Sequence, residues 1–342
     1  MLKFPLQNNK KVILIAPMVG ISHVIFRELV RSYCPLDFPP YLFTEMLSTR
    51  RLPSEKLQQS AELKTAPNEK NLIPQLLGNE ERFIAPSIEK LMPLNPAGFD
   101  INMGCPMSHI LKHNWGVRLM GDAKYAGEVV RMAKKHAPVP VGVKLRASTS
   151  AEINLCELDE FTKVLEDSGA DWITIHARTV AQKHSGEARW DIAAEIAKRR
   201  KIPVFVNGNI QVVDDLLNLE STSDCAGFMV ARGAIARPWI VWQMAFALKE
   251  TSLIPPMTLE EESREYCNAC LRFLDIGLHY FTYEELLPKF YFFVALGSKW
   301  FFFGHSFWKA MLKHQSIDQL REIILRFRDE VNFPMYNRII LT

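Results

Sequence analysis

Short apolar runs recur along the first two thirds of the chain, and helix-like segments separate most of them. Each run is apolar nearly throughout, which is typical of parallel strands buried on both faces. The runs cover residues 12–18, 41–46, 71–77, 98–104, 139–146, 172–178, 202–208 and 227–233. Strands that alternate with helices in this way predict an α/β fold, the (β/α)8 TIM barrel. A doubly wound open sheet is the alternative, and we prefer the barrel because no strand is followed by Gly-x-Gly-x-x-Gly.

The segments between the runs carry helix signals. Those at 79–93 and 122–138 end at a proline, and the one at 155–170 closes on a glycine that suits a C-cap. The segment 190–201 has an acid near its start and bases at its end, as the helix macrodipole favours. Residues 47–70 are predicted to be mostly loop.

The stretch "LIPPMTLEEE" at 253–262 breaks the alternation. Its proline pair and the N-cap signal at Thr258 predict a domain boundary near residue 255. Only helical periodicity follows, at 259–276, 283–303, 305–315 and 317–330. The sequence therefore predicts a barrel domain over 1–250 and a C-terminal all-helical domain over 256–342.

Composition narrows the class of protein. The chain has 342 residues, of which 48% are hydrophobic and 23% charged, with a net charge of +3. So weak a charge bias neither requires nor excludes a nucleic-acid partner. The polar start "MLKFPLQNNKK" and six scattered cysteines predict a reducing, cytoplasmic setting without disulfides. The most apolar run contains Lys299 and is too short to span a bilayer, so we expect a core helix and no membrane contact. No obligate protein partner is indicated.

Polar and conformationally special residues end the predicted strands. In a TIM barrel the chemistry lies at these C-terminal ends, and polar groups there are costly without partners, so we predict a single site. Its candidates are Pro17, Met18, Glu45, Gln75, Asn102, Cys105, Lys144, Arg146, His176, Arg178, Asn207, Gly208, Asn209, Arg232 and Gly233.

The last two strand ends predict a phosphate site. Gly208 and Gly233 allow the backbone N–H groups to approach a ligand, Arg232 supplies charge, and a helix is expected to start near Pro238. The alternative is that these glycines only close turns. Lys144 fits a Schiff-base nucleophile, a fixed cation beside an anionic cofactor, or a lysine that merely reaches the rim. His176 fits a base, a ligand, a hydrogen-bond donor or a structural histidine.

Cys105 lies between Gly104 and Pro106, where a strand gives way to the longest strand-to-helix connection, 105–120, a candidate lid. Glycine and proline exclude both strand and helix at this point. Because Cys105 lies outside the strand in this connection, and no second cysteine completes a CxxC, we favour a catalytic thiol over an inert buried cysteine.

Two further spacings predict no metal site. His109 and His113 stand four residues apart, a metal spacing on a helix, but no third ligand is near them in sequence. Cys267 and Cys270 lie in a helical pattern without a second pair, which indicates helix packing.

Motifs in one order carry a family resemblance. They are "APM" (16–18), "EM" (45–46), "PQLLG" (74–78), "INMGCP" (101–106), "VKLR" (143–146), "IHART" (175–179), "VNGNI" (206–210) and "ARGAIARPWI" (231–240). By these motifs the sequence resembles the tRNA-dihydrouridine synthases, over residues 12–245. The resemblance implies an FMN-binding barrel with a C-terminal helical domain that docks RNA.

The resemblance also implies roles for single residues. Cys105 becomes the general acid, and Asn102 faces the uracil; we assign Arg146 and Arg178 to substrate binding as well. FMN is expected to contact Pro17, Met18, Gln75, Lys144, His176, Asn207, Gly208, Asn209, Ala231 and Arg232. The implied reaction is FMN-dependent reduction of uridine to 5,6-dihydrouridine in tRNA. NADPH recharges the flavin through the same mouth, because no separate dinucleotide fingerprint exists.

The sequence departs from the family pattern at two places. Ser108 and His109 stand where a lysine is usual, and Arg118 precedes Leu119 where a small residue is usual. In the helical domain, Lys289 stands almost alone where an arginine-rich stretch is usual. Two alternatives therefore stay open: an RNA-binding flavoprotein of the same family with an altered RNA target or lost catalysis, and an FMN barrel that reduces a small molecule.

Overall fold

The computed structural model of the chain describes residues 11–67, 69–302, 304–330 and 334–340. Every predicted site residue lies within these ranges. Residues 1–10, for which the sequence predicts no signal peptide, lie outside them, as does Phe303 at the end of the predicted helix 283–303. The predicted helical domain also includes residues 331–333 and 341–342, which are outside the described ranges.

A closed barrel of parallel strands forms the first part of the fold. Within the described ranges the strands are β1 (Val12–Ile15), β2 (Tyr41–Ser48), β3 (Leu72–Leu77), β4 (Phe99–Met103), β5 (Val141–Ser148), β6 (Trp172–Thr179), β7 (Val204–Asn207) and β8 (Gly227–Val230). Each strand pairs with the next along the chain, and β8 pairs with β1. The strands lie on the apolar runs of the sequence, so the (β/α)8 prediction is confirmed.

Apolar side chains fill the barrel interior below its mouth. Trp172 packs there with Phe43, Phe205 and Met229. Its ring lies against Gly142, where a Cβ atom would stand 1.9 Å from Cε2 of the indole. Only glycine admits the ring at this position. Because the interior is packed, a ligand is restricted to the end of the barrel at which the strands terminate.

Helices surround the barrel. They are α1 (Val24–Tyr33), α2 (Glu81–Leu91), α3 (Ser108–Leu111), α4 (Ala123–His136), α5 (Leu155–Asp167), α6 (Trp190–Arg199), α7 (Val213–Thr222), α8 (Arg232–Ala236) and α9 (Ile240–Ala247). Helices α2 and α4 end shortly before Pro93 and Pro138, as predicted. The helix expected near Pro238 is preceded by a shorter one that begins at Arg232 itself.

The C-terminal part is helical throughout its described residues, apart from its final segment. Its helices are α10 (Leu259–Tyr280), α11 (Tyr283–Gly297), α12 (Gly304–Met311) and α13 (Ile317–Glu330). Thr258 caps α10 as predicted, because its hydroxyl accepts from the Glu261 backbone N–H at 3.1 Å. Helix α11 carries the first part of the most apolar run and buries Phe290 and Phe293 in the core, but it ends at Gly297, so the helix predicted over 283–303 is shorter than expected. None of the described helices is long enough and apolar enough to cross a membrane.

The helical part joins the barrel through buried polar contacts. Arg237, just after α8, donates from Nε to Glu262 of α10 at 2.8 Å. Its Nη2 also donates to the Tyr336 carbonyl at 3.1 Å. The final segment then returns to the barrel, where Gln211 and Ile339 exchange hydrogen bonds of 3.0 and 3.1 Å. The segment 334–340 therefore packs against the loop that follows β7.

Candidate active site at the mouth of the barrel

The C-terminal ends of the strands bring most of the predicted residues together at one mouth. Strand register pairs Asn102 with Lys144, and His176 with both Arg146 and Asn207. The mouth has two chemically different halves. The thiol half comprises Gln75, Asp100, Asn102 and Cys105. The cation half comprises Lys144, Arg146, His176, Arg178, His184 and Arg232.

The thiol half is a chain of hydrogen bonds. The Oδ1 atom of Asn102 accepts from the backbone N–H groups of Gly104 at 3.2 Å and Cys105 at 3.0 Å. The Nδ2 atom of Asn102 donates to Gln75 Oε1 at 2.8 Å. The Nε2 atom of Gln75 donates in turn to Asp100 Oδ2 at 2.7 Å. This chain connects the backbone of the cysteine with a carboxyl group inside the barrel.

The segment that carries Cys105 is folded and anchored. It contains α3, and its Trp115 is buried and donates from Nε1 to Asn79 at 2.8 Å. Gly116 has a φ of +61°, and a Cβ atom there would lie 2.4 Å from the Cys105 carbonyl oxygen. The Val117 N–H donates to that same oxygen at 3.0 Å. These contacts hold the cysteine backbone from both sides.

The thiol of Cys105 is half-buried, and its burial favours the protonated form. Burial raises its pKa above the ordinary value, and the Met107 backbone N–H and the charges of Arg146 and Lys144 offset that only in part. A neutral thiol beside cations can give up a proton to a strongly basic carbon and is then stabilised as a thiolate. The arrangement suits an acid better than a resting nucleophile.

The cation half holds positive groups close together. Within the described residues, no ion pair to a carboxylate is formed by the arginines or histidines of this half. The Nη2 atom of Arg232 donates to the His184 carbonyl at 3.0 Å. The Nη1 atom of Arg178 is buried without a hydrogen-bond partner. An unpaired buried guanidinium nitrogen is costly, so this corner of the mouth fits an anion.

The pKa values of the cation half also indicate that positive groups lie close together in a partly buried place. Burial first, and then the nearby charges with Arg232 the foremost, lower the pKa of His184 to about 4. Burial and then the charge of Arg178 lower the pKa of Arg232 to about 10. The pKa of His176 lies well below its ordinary value, through burial first and the neighbouring cations second. An anion bound here would reverse the electrostatic part of these shifts.

Two of the arginines hold loops in place. Arg146 donates from Nε to the Gly104 carbonyl at 3.1 Å and from Nη1 to the Lys183 carbonyl at 2.7 Å. Arg178 donates to the Gly186 carbonyl at 2.6 Å and to Asn209 Oδ1 at 3.2 Å. Much of their donor capacity is therefore spent within the protein, which fixes the loop that follows β6 over the mouth.

The loops after β7 and β8 have the backbone shapes expected of a ligand cradle. Gly208 has a φ of +115°, and a Cβ atom there would lie 3.0 Å from the His176 ring. Asn209 adopts a φ of 60°. The Asn207 side chain donates to the Met229 carbonyl at 2.7 Å and so ties β7 to β8. Ala231 then leads into Arg232 at the first turn of α8.

The loop after β1 continues the rim beside β8, the strand with which β1 pairs. Pro17 and Met18 lie there half-buried, and the Met18 N–H donates to Ser22 Oγ at 2.9 Å. The Gly20 N–H donates to Glu45 Oε2 at 2.7 Å. Gly20 has a φ of +76° and packs under Phe292 of α11, whose ring would lie 2.9 Å from a Cβ atom. The helical domain therefore touches the mouth at this loop.

Sequence reasoning missed two members of the site. Asp100 lies two residues before Asn102 in an apolar strand, and that period of two was a usable signal. His184 lies in the loop after β6 and stacks on His176 with ring centroids 5.9 Å apart. No local pattern marks His184, because Arg146 and Arg178 bring its loop over the mouth.

The spacings that resemble metal sites have other partners. Among the described residues, no three His, Cys, Asp or Glu side chains are grouped so that they could hold a metal ion. The Nδ1 atom of His113 instead lies 3.2 Å from Arg50. Cys267 and Cys270 are buried in α10, so their prediction as helix-packing residues is confirmed.

Comparison with known proteins places this site in a family. The model of the family described as dihydrouridine synthase (Dus) matches residues 14–287. The chain belongs to the dihydrouridine synthase family. The motifs from which the sequence predicted that family lie on the strand ends described above, so the predicted resemblance is confirmed. The dihydrouridine synthases are a family of enzymes.

Curated members of the dihydrouridine synthase family align over most of the chain. "Probable tRNA-dihydrouridine synthase 1" of Synechocystis is 33% identical over 239 residues, which are 69% of this chain and 65% of that protein. "Probable tRNA-dihydrouridine synthase" of Treponema pallidum is 30% identical over 259 residues, which are 73% of this chain and 74% of that protein. The alignment thus spans about two thirds to three quarters of these relatives.

Solved structures of low identity share the fold of this dihydrouridine synthase family member. A 6-hydroxypseudooxynicotine amine oxidase from Pseudomonas geniculata N1 has a TM-score of 0.53 at 11% identity, covering 81% of this chain and 52% of that chain. Histamine dehydrogenase from Rhizobium sp. 4-9 has a TM-score of 0.50 at 11% identity, covering 77% and 48%. At such identities the likeness concerns the barrel alone.

Proposed function

We propose that this chain reduces uridine to 5,6-dihydrouridine in tRNA, with FMN as its flavin and NADPH as the reductant of the flavin. The single observation that carries the proposal is the pairing of the two halves, a half-buried thiol beside a group of cations whose arginines form no ion pair with a carboxylate among the described residues and of which Arg178 keeps one buried nitrogen unpartnered. Family membership narrows the reaction, and the names of the relatives point to tRNA. A cytoplasmic location accompanies a tRNA substrate.

The residues of the cation half fit the phosphate of FMN. The free Nη1 of Arg178 and the charge of Arg232 call for an anion there. His176, Asn207, Gly208, Asn209 and Ala231 surround the same corner and would contact the ribityl chain and phosphate. Pro17, Met18, Gln75 and Lys144 would contact the flavin ring.

Lys144 acts best as a fixed cation. Burial lowers the pKa of Lys144 and the charge of Arg146 adds to this, while Asp100 opposes the shift. Its Nζ forms no hydrogen bond with any residue that the structure describes, so it is free to face an anionic ring. A cation fixed in a partly dry site stabilises negative charge more than it would in water.

In the proposed reaction the proton and the hydride come from different donors. When bound and reduced, FMN would supply the hydride for C6 of the uracil. Cys105 then gives its proton to C5, so that the C5–C6 double bond becomes a single bond. The resulting thiolate is stabilised by Arg146 and Lys144, and solvent reprotonates it. Asn102 faces the uracil, with Arg146 and Arg178 bordering the substrate.

The helical domain would dock the RNA. A cavity between α12 and α13 is lined by Ser306, Lys309, Lys313 and Arg326, among other residues. Three cations around one groove suit a phosphate backbone. Lys289 lies over the Phe281 ring, with Nζ 5.0 Å from its centroid, and so faces the junction between α10 and α11. Charge reversal at Lys309 and Lys313 is expected to weaken tRNA binding and to reduce its salt dependence.

The cofactor assignment is tested on the purified protein. Heat-released cofactor should co-elute with FMN in chromatography. Release of FAD, or no flavin bound after reconstitution with FMN, would contradict the proposal.

The reaction is tested by a map of dihydrouridine in tRNA and rRNA from cells with and without the gene. Loss of dihydrouridine at defined tRNA positions supports the proposal. Loss confined to rRNA would assign an altered RNA target. An unchanged map in cells that make FMN-loaded protein would favour either an RNA-binding flavoprotein without catalysis or a reductase of small molecules. Salt-dependent tRNA binding separates those two.

A further inference from the structure

Asp100 is a buried acid for which the proposed chemistry has no task. Its side chain is fully buried on β4. Burial raises its pKa, and the hydrogen bond from Gln75 and the charge of Lys144 oppose that only in part. Its Oδ2 accepts from Gln75, whereas Oδ1 has no partner among the described residues. A buried carboxyl is costly to keep, so its role lies in the contact that it makes.

The two ends of the hydrogen-bond chain fix its direction. The backbone N–H groups of Gly104 and Cys105 can only donate, so Asn102 must turn Oδ1 toward them. Its Nδ2 then faces Gln75, which must present Oε1 and is left with Nε2 toward Asp100. The Oδ2 atom of Asp100 accepts at the far end. Neither amide can rotate by half a turn without setting donor against donor.

The fixed direction decides what Asn102 can offer a ligand. Its Oδ1 already accepts two backbone hydrogens, while the second hydrogen on Nδ2 has only the Met46 sulfur, at 4.0 Å, near it. Asn102 therefore presents a donor. A donor suits a carbonyl oxygen, of which a uracil ring has two, and it does not suit an exocyclic amino group.

We infer that Asp100 is a positioning residue, which orients Gln75 and Asn102 so that Asn102 presents N–H to the substrate and holds the backbone of Cys105. The substrate part of this inference rests on the proposed function. The orientation holds in either protonation state, because a protonated carboxyl can carry its hydrogen on Oδ1 and still accept at Oδ2. This hydrogen-bonded chain of Asp100, Gln75 and Asn102, called the relay below, contacts the backbone of Cys105 but not its thiol.

Amide hydrogen exchange of the full-length protein tests the relay without any reaction. The peptide covering 99–107 reports the Gly104 and Cys105 amides, and the peptide covering 141–148 serves as reference. In Asp100→Leu, protection at 104–105 should fall about tenfold, as expected for loss of one hydrogen bond. Asp100→Asn keeps an acceptor and should remain like wild type. Thr174→Val, at another buried polar position in the barrel, is the matched control and should change neither peptide.

Two results would overturn the inference. One is unchanged protection at 104–105 in folded Asp100→Leu. The other is an equal loss of protection in both peptides, which would assign Asp100 to general stability. If Asp100→Leu does not fold, Asp100→Ser replaces it, because a short hydroxyl cannot reach Gln75 and leaves room for water.

Turnover tests the substrate part. In FMN-loaded Asp100→Leu the kcat for tRNA should fall about tenfold while KM changes little, and Asp100→Asn should restore it. An unchanged kcat would contradict this part of the inference. If wild-type protein makes no dihydrouridine, the proposed function fails, and the exchange measurement still decides on the relay by itself.

Discussion

The two halves of the mouth differ in how their polar groups are satisfied. In the thiol half, Asp100, Gln75 and Asn102 hydrogen-bond to one another and to the backbone of Cys105. In the cation half, the positive groups face one another, and one nitrogen of Arg178 is left buried and unpaired. The thiol half is held together by its own hydrogen bonds, apart from the unpartnered Oδ1 of Asp100, whereas the arginines and histidines of the cation half form no ion pair with a carboxylate among the described residues.

Two buried arginines elsewhere pair with carboxylates, which the arginines of the cation half do not. Arg27 pairs with Glu69 at 2.7 Å, and Arg237 pairs with Glu262 at 2.8 Å. In the proposed reaction, the hydrogen-bonded thiol half would need little reorganisation during proton transfer. The cation half would be stabilised by a bound anion, because the anion would offset the repulsion among its positive groups. The predictions below alter the thiol half, the Arg27–Glu69 pair and the cation half separately, from the largest expected effect to the smallest.

Removal of the acid should produce the largest effect. In Cys105→Ala, oxidation of reduced enzyme by unmodified tRNA should slow by about 10²–10⁴-fold, the usual range for a positioned acid. Cys105→Ser should recover little, because a hydroxyl is far less acidic than a thiol. Flavin binding and reduction by NADPH should be spared, because the cation half is intact. Stopped-flow absorbance of the flavin measures both steps.

The control for that variant is Cys156→Ala, since Cys156 is exposed at the start of α5. Loss of the NADPH step in Cys105→Ala would place the thiol in cofactor binding instead. A rate with tRNA close to wild type would leave the proton donor unassigned.

The ion pair of Arg27 with Glu69 should make the stability of the protein depend on pH in acid. The arginines of the cation half, which pair with no carboxylate among the described residues, should make no such contribution. Burial alone would raise the pKa of Glu69, but the Arg27 and Arg31 contacts outweigh it and lower the pKa to about 2. Because the folded value lies below the unfolded one, this stability is present above about pH 4 and is lost as the pH falls toward 2. The loss is on the order of 3 kcal/mol, measurable by urea unfolding against pH. Glu69→Gln should remove that part of the slope, and an unchanged slope would contradict the assignment.

Removal of Arg232 should weaken the binding of FMN but leave proton donation by Cys105 unchanged. A charge-assisted contact to phosphate is worth about 1.5–3 kcal/mol, so Arg232→Ala should weaken FMN binding by roughly 10- to 150-fold. Fluorescence titration of the apoprotein measures the affinity. Arg82→Ala removes an exposed arginine on α2 and should change nothing. Equal affinity in Arg232→Ala and wild type would show that the phosphate lies elsewhere.

Inorganic phosphate should produce the smallest effect. At ten times its Kd it should stabilise the apoprotein by about 1.4 kcal/mol, because it relieves repulsion in the cation half. For a chain of this size that is about 2–4 °C in Tm. The shift should be absent in Arg232→Ala, and chloride at equal ionic strength is the control. A shift that persists in Arg232→Ala would mean that phosphate binds outside the mouth.

Local patterns in the sequence were sufficient to predict the fold and many of the residues that meet at the mouth of the barrel. Apolar runs marked the strands, and the residues at their ends, such as Lys144 and His176, needed only the rule that strand ends converge. Asp100 was not predicted because its role depends on the strand register, which places Gln75 of β3 beside Asp100 of β4. His184 escaped because distant arginines hold its loop. The contact of Gln211 with Ile339 joins residues too far apart for any periodicity to relate.

Reconstitution of the reaction tests the central claim most directly. Purified protein is incubated with FMN, NADPH and unmodified tRNA, and the digested nucleosides are analysed by mass spectrometry. The account predicts a nucleoside heavier than uridine by two hydrogen atoms, with Cys105→Ala far slower than wild type. If protein that binds FMN and is reduced by NADPH forms no dihydrouridine in tRNA, the claim is contradicted.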